Sequence, residues 1–212
     1  MKILIHYNGY DFAAPNSQDD VWSNYRNPDS AKMFLVCAES WERAGWQVDR
    51  LDTTLTKGFS FSGKLHRIFE YPLPLWNLWY AARMQAPCWI VTTDVINYGF
   101  TPEQAAQLVK LVDDTQGISL TVPWSNSCFW TSQVFAQGVI DLIYKVDRGE
   151  RELPKCNIIT DEAIIRESQM VSKCCVKYVM NARIETQWQY SQLLHFPRSG
   201  LVRAIDSINV TL

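Results

Sequence analysis

The sequence predicts an α/β sandwich, a single domain in which a mostly parallel central sheet is covered by helices. Strand-like and helix-like segments alternate along the chain, as they do where parallel strands are joined by helical crossovers. Two strand segments, around Ile3-Leu4-Ile5 and at Cys88–Thr93, are continuous apolar runs, which suits a sheet covered on both faces. The chain has 212 residues, of which 47% are hydrophobic and 20% charged, enough to bury one core. No repeat, low-complexity tract or linker divides it, so residues 1–212 are assigned to one domain.

Lys2–Tyr7 is the first strand, and the turn-rich stretch from Asn8 to Pro28 follows it as a long loop. Asp29-Ser30 caps a helix whose apolar stripe is Phe34, Cys37, Ala38, Trp41 and Ala44, ended by Gly45. Trp46–Leu51 is the second strand. A loop from Thr53 to Gly63 leads to a short helix over Lys64–Glu70, which Tyr71-Pro72-Leu73-Pro74 breaks. Leu75–Gln85 resumes as a helix, and Cys88–Thr93 is the third strand. Thr101-Pro102-Glu103 opens the next helix with a capping hydroxyl, a proline in the first turn and an acid beside it. Gly117–Val122 is then a strand, Phe129–Val146 a long helix, Thr160–Glu167 a helix and Cys174–Val179 a strand. Leu193–Phe196 and Leu201–Val210 are the last apolar stretches.

Charge and composition exclude several classes. Twenty Lys plus Arg against 22 Asp plus Glu gives a net charge of −2, with none of the basic excess that a phosphate-binding nucleic-acid surface needs. No apolar run approaches the length of a transmembrane helix, and Met1–Gly9 lacks the apolar core of a secretory signal. The six cysteines form no C-x-x-C pair, so they are read as reduced thiols in a cytoplasmic protein. The loop after the first strand has no G-x-G-x-x-G, and no P-loop, G-x-S-x-G elbow or H-E-x-x-H occurs. Cys128 and His195 do not make a convincing nucleophile and base, because nothing local activates the thiol.

The informative block is 75-LWNLWYAARMQAPCWIVTTDVINYGF-100. A helix carrying Arg83 leads into an apolar strand that ends in Thr92-Thr93-Asp94. In parallel α/β sheets, ligands bind beyond the carboxyl ends of strands, which is where Asp94 falls. Taken alone, an Asp after a strand equally starts a turn. Other segments follow in order: 32-KMFLVCAESWERAGWQVDRLD-52, Ser125-Asn126-Ser127 after Val122-Pro123, Thr160-Asp161-Glu162 and Leu194-His195-Phe196.

Together these segments resemble the GT-A-type glycosyltransferases, in which an arginine-bearing helix precedes a strand ending in Asp-x-Asp. The resemblance implies a GT-A-like domain that takes a nucleotide-diphosphate sugar as donor and a carbohydrate or other hydroxyl compound as acceptor. It implies Asp94 and His195 as ligands of a divalent cation, Mn or Mg, and Arg83 as a partner of the donor phosphates. Tyr7, Asn8 and Asp11 would meet the nucleoside, Asn126 would join the substrate-binding residues, and Asp161 would orient or deprotonate the acceptor hydroxyl. Trp124 and Trp130 would form an acceptor platform. The chain departs from the pattern where the first metal-motif acid belongs, since Thr92 or Thr93 stands there. A single carboxylate implies weak cation binding. The departure also favours an alternative, a non-catalytic nucleotide-sugar or carbohydrate-binding protein on the same scaffold.

Overall fold

The computed structural model describes residues 1–7, 30–52, 73–93, 95–120, 127–152, 165, 167, 171–173, 179–181 and 192–195, with the side chains of 6–7, 30–33, 51–52, 73–78, 171–173, 179–181 and 195 outside that description. In chain order the elements are β1 (Lys2–Tyr7), α1 (Ser30–Arg43), β2 (Gln47–Asp52), α2 (Leu73–Gln85), β3 (Cys88–Val91), β4 (Val95–Asn97) and α3 (Pro102–Val109). They continue with β5 (Gly117–Ser119), β6 (Cys128–Thr131), α4 (Gln133–Asp147), β7 (Val171–Lys173), β8 (Val179–Asn181) and β9 (Leu193–His195).

Six strands form the central sheet in the order β2-β1-β3-β6-β5-β7. β1 runs parallel to β2 and β3, β5 runs parallel to β7, and β6 lies antiparallel to both β3 and β5. All strands of this sheet except β6 therefore point the same way, as the mostly parallel expectation requires. A smaller sheet, β4-β9-β8, stands apart from it.

Side-chain alternation sorts the core into two halves. Ile3, Ile5, Trp89, Val91, Cys128 and Trp130 pack on the α1 and α3 side, with Cys37, Trp41, Ala105 and Leu108. Leu4, Cys88, Ile90 and Phe129 face the other way, onto Trp79 and Ala82 of α2 and Phe135, Val139 and Ile143 of α4. This is why the strand runs are apolar at every position: each face has a helix layer to bury against, and each large side chain so buried contributes about 1.5–3 kcal/mol. Val95 and Ile96 of β4 and Leu193 and Leu194 of β9 join the first half of the core.

Several segments depart from the sequence expectation. The strand expected from Gly117 ends at Ser119, α2 begins already at Leu73, and β7 stands where the sequence predicts no strand. Two further differences bear on the site. The long helix predicted over Phe129–Val146 begins only at Gln133, and Cys128–Thr131 is the reversed strand β6. Ser132 caps α4, accepting the amide of Phe135 on its hydroxyl at 2.9 Å, and the helix cannot extend back through that cap. The strand predicted over Cys88–Thr93 ends at Val91, and the chain turns and starts the separate strand β4 at Val95. The predicted helix over Lys64–Glu70 and the expected strand residues 174–178 lie outside the described residues. No helix among the described residues is long and apolar enough to cross a membrane.

Candidate functional site

The carboxyl ends of β1 and β3 lie side by side. Ile5 pairs with Val91, the last residue of β3, and β1 runs on two residues further to Tyr7. β6 runs the opposite way and begins at the same edge, with Val91 opposite Cys128. There the backbone N–H of Thr92 donates to the carbonyl of Ser127 at 3.1 Å, and the Thr92 hydroxyl donates to the same carbonyl at 3.3 Å. The Val95 N–H donates back to the Thr92 carbonyl at 3.2 Å and closes a turn that begins at Thr92. Across the smaller sheet Val95 pairs with His195, and His195 pairs in turn with Asn181.

The structure thus gathers the backbones at Tyr7, Thr92-Thr93, Ser127, Val95 and His195 at one edge, where strand ends meet a change of sheet. Among the sequence-predicted residues, Tyr7 and His195 are placed here, and Asp94 and Asn126 adjoin described residues of this edge in sequence. Asn8, Asp11, Asp94, Trp124, Asn126 and Asp161 themselves lie outside the described residues. The register of His195 beside Val95 could not be read from sequence, because it pairs segments about a hundred positions apart in a chain with no local signal for β4.

Arg83 is not brought to this edge. It sits in the last turn of α2, where Nη1 donates to Gln137 Oε1 of α4 at 3.0 Å and the guanidinium lies 5.0 Å from the Tyr80 ring centroid. α2 runs back along the sheet before β3 starts, so its carboxyl end lies at the amino end of the parallel strands, where Lys2 Nζ donates to Gln85 Oε1 at 2.8 Å. β3 spans roughly 10 Å between its ends, and that length separates Arg83 from Thr92. The sequence order of helix, Arg and strand suggested proximity to Asp94, but a helix that folds back onto the strand it feeds ends at the strand's far edge. Arg83 braces the α2–α4 contact instead.

Trp130 is 5% exposed and packs within the core from β6. Each tryptophan whose side chain is described (Trp41, Trp46, Trp79, Trp89 and Trp130) is at most 5% exposed. Trp41, Trp46, Trp89 and Phe100 form an aromatic cluster, with Trp41 and Trp46 edge to face at 5.2 Å and Trp46 and Trp89 likewise at 6.2 Å. Much of the aromatic supply is therefore structural. Cys128 is fully buried and burial raises its thiol pKa, which removes it as a nucleophile at neutral pH. Among the described residues no three His, Cys, Asp or Glu gather as a metal site.

Residues that sequence reading did not single out hold this edge from behind. The Val95 carbonyl accepts the Trp41 indole N–H at 3.1 Å and the Cys37 thiol at 3.2 Å. Cys37 also donates to the Thr92 carbonyl at 3.6 Å, and the Asn97 N–H donates to the Ser40 hydroxyl at 3.0 Å. Cys37, Ser40 and Trp41 are spaced i, i+3 and i+4, so one stripe of α1 lies along the free edge of β4 and satisfies the backbone groups that a neighbouring strand would otherwise take. The signal was present as an apolar stripe, but two of its members, Cys37 and Trp41, do polar work, with Ser40 beside them.

Comparison with solved structures gives distant structural likenesses. The crystal structure of a glycosyltransferase involved in the glycosylation of the major capsid of PBCV-1 matches over 95% of this chain and 96% of that chain, at 11% sequence identity and a TM-score of 0.48. A likeness at that TM-score is too remote to assign fold or activity. No protein-family model matches the chain, and no curated protein matches it.

Proposed function

We propose that this protein is a glycosyltransferase that takes a nucleotide-diphosphate sugar at the edge formed by Tyr7, the Thr92–Val95 turn and His195. The observation that carries the reading is the pairing of His195 with Val95, which sets two of the motif segments quoted above beside each other at the carboxyl end of β3. Such an edge, where parallel strands end and the chain changes sheet, is where α/β folds bind ligands. Support comes also from β1, which runs parallel beside β3 and ends at Tyr7 on the same, carboxyl side of the sheet.

In this reading the acceptor hydroxyl oxygen attacks the anomeric carbon of the donor. The bond from that carbon to the phosphate oxygen breaks, the nucleoside diphosphate leaves with the electron pair, and the hydroxyl proton passes to the Asp161 carboxylate. Tyr7, Asn8 and Asp11 follow the first strand and meet the nucleoside. Asn126, next in sequence to Ser127, lines the substrate side, and Trp124 serves the acceptor. Asp94 and His195 would hold a divalent cation that offsets the charge of the leaving diphosphate. One carboxylate and one imidazole suit manganese better than magnesium, which prefers oxygen ligands throughout.

The test is a thermal-shift panel of UDP-, GDP-, CMP- and dTDP-sugars with and without manganese, joined to a search for nucleotide release. The reading expects manganese-linked stabilisation by one nucleotide class, turnover, and loss of that stabilisation in Asp94→Asn with an unchanged ligand-free Tm. No stabilisation by any member of the panel overturns it. The Thr at the place of the first acid favours a second reading, a nucleotide-sugar-binding protein, which shows stabilisation without turnover.

A further inference from the structure

We infer that Trp41 and Cys37 of α1 are positioning residues for the donor site, fixing the turn that begins at Thr92 by holding the Val95 carbonyl. The inference rests on the reading of that turn as the donor site. β4 is an edge strand of the smaller sheet, so its outer carbonyls need partners from elsewhere. At Val95 both carbonyl lone pairs go to α1, one to the Trp41 indole at 3.1 Å and one to the Cys37 thiol at 3.2 Å. The same thiol reaches the carbonyl of Thr92 at 3.6 Å, so one side chain touches both ends of the turn. The other side of the turn is tied to Ser127 through the amide and hydroxyl of Thr92. Thr92 and Val95 are thus each anchored to buried groups.

The donors are themselves held. Cys37 and Trp41 are 0% exposed, and Trp41 meets Trp46 at 5.2 Å and Phe100 at 6.3 Å between ring centroids. An indole wedged in this way cannot follow a moving carbonyl, so it selects one position of Val95. The Thr92 and Val95 backbone is then held in place without an ordering cost when the donor arrives, which is how preorganised sites gain affinity.

A control for general destabilisation lies in the same aromatic cluster. Trp46 is also buried and also gives its indole N–H to a backbone carbonyl, that of Phe100 at 2.7 Å, but it does not bond to the turn. Trp41→Phe and Trp46→Phe each delete one indole donor and keep a ring, so a purely structural role lowers Tm in both alike. Positioning separates them. With UDP-glucose, GDP-mannose and dTDP-glucose as probes in the presence of manganese, Trp41→Phe and Cys37→Ala raise the half-saturating concentration about fivefold or more, the worth of one lost hydrogen bond. Trp46→Phe leaves it unchanged, and Cys37→Ser, which keeps a donor, recovers most of what Cys37→Ala loses. Equal weakening by Trp41→Phe and Trp46→Phe, or no weakening by either α1 variant, overturns the inference. Should none of the probes bind the wild-type protein, the donor-site reading fails, and amide hydrogen exchange decides the positioning claim by itself. The Val95 N–H, closing the turn onto Thr92, then exchanges faster in Trp41→Phe and Cys37→Ala than in Trp46→Phe, and equal rates refute it.

Discussion

Alanine at Gly117 provides a severe test of the sheet. Gly→Ala in a strand ordinarily stabilises by about 0.4–1 kcal/mol, because the unfolded chain loses freedom. Here a Cβ would lie 2.2 Å from Cζ and 2.6 Å from Cε1 of Phe129, and 3.2 Å from the Trp130 carbonyl oxygen. Carbon atoms in contact sit about 3.5–4.0 Å apart, so the ring must retreat by more than about an ångström. It has little room, since Phe129 is 0% exposed and lies 5.8 Å from Trp79 and 5.4 Å from Phe135 between ring centroids. Moving β5 away instead would break its pairing of Ile118 with Trp130 and Ser119 with Phe129. Gly117→Ala is therefore expected to cost about 3 kcal/mol, the upper part of the range for overpacked cores. For a domain of this size that lowers Tm by about 6–12 °C, measurable by circular dichroism or calorimetry. Phe129→Leu removes the obstructing ring atoms, so the double variant loses less than the sum of the two singles, by about 1 kcal/mol or more. A Gly117→Ala protein within about 0.5 kcal/mol of wild type refutes the close approach, and with it the placement of Phe129 on a strand beside β5.

Further expectations concern caps, thiols and the arginine. Thr101→Ala removes the hydroxyl that accepts the Gln104 amide in the capping box of α3 and lowers stability by about 1 kcal/mol in urea titration, whereas Thr101→Ser keeps most of it. Burial pushes the Cys88 thiol from 9.0 up to about 12 and raises that of Cys128 as well, so in native protein neither reacts with iodoacetamide at mildly alkaline pH, and both react after unfolding. Because the folded pKa is the higher one, the stability due to Cys88 is present below pH 9.0 and is lost as pH rises toward about 12, and Cys88→Ala flattens that fall. Arg83→Ala loosens the α2–α4 contact and lowers Tm slightly, but it leaves nucleotide-sugar stabilisation intact. Loss of that stabilisation would return Arg83 to the site.

How far the sequence carried this picture differs from element to element. β1, α1 and α3 were legible because each has a local cause: an apolar run, a helical stripe ended by Gly45, and the cap at Thr101. β6 was not, because Phe129 and Trp130 are apolar enough to extend the helical pattern of α4 backwards, and only the Ser132 cap marks the true start. β4 escaped notice because three residues give no periodicity, and its partner β9 arrives from far along the chain. At the site, the strand-end argument located the edge where Thr92 and Thr93 lie. It misplaced Arg83, since adjacency in sequence says nothing about which end of the sheet a returning helix reaches. The work of Cys37 and Trp41 was hidden inside an ordinary apolar stripe, because a hydrogen bond from a core side chain to a distant backbone leaves no mark in composition.

Backbone amide shifts, followed by NMR on isotope-labelled protein as a nucleotide sugar is added with manganese, test the location of the site most directly. The account predicts that the amides of Tyr7, Thr93, Ser127 and His195 move together, with one common affinity, while those of Arg83 and Gln137 at the opposite edge of the sheet stay in place. Shifts centred on Arg83 and Gln137, or no shifts at saturating concentrations of every nucleotide class, would contradict it.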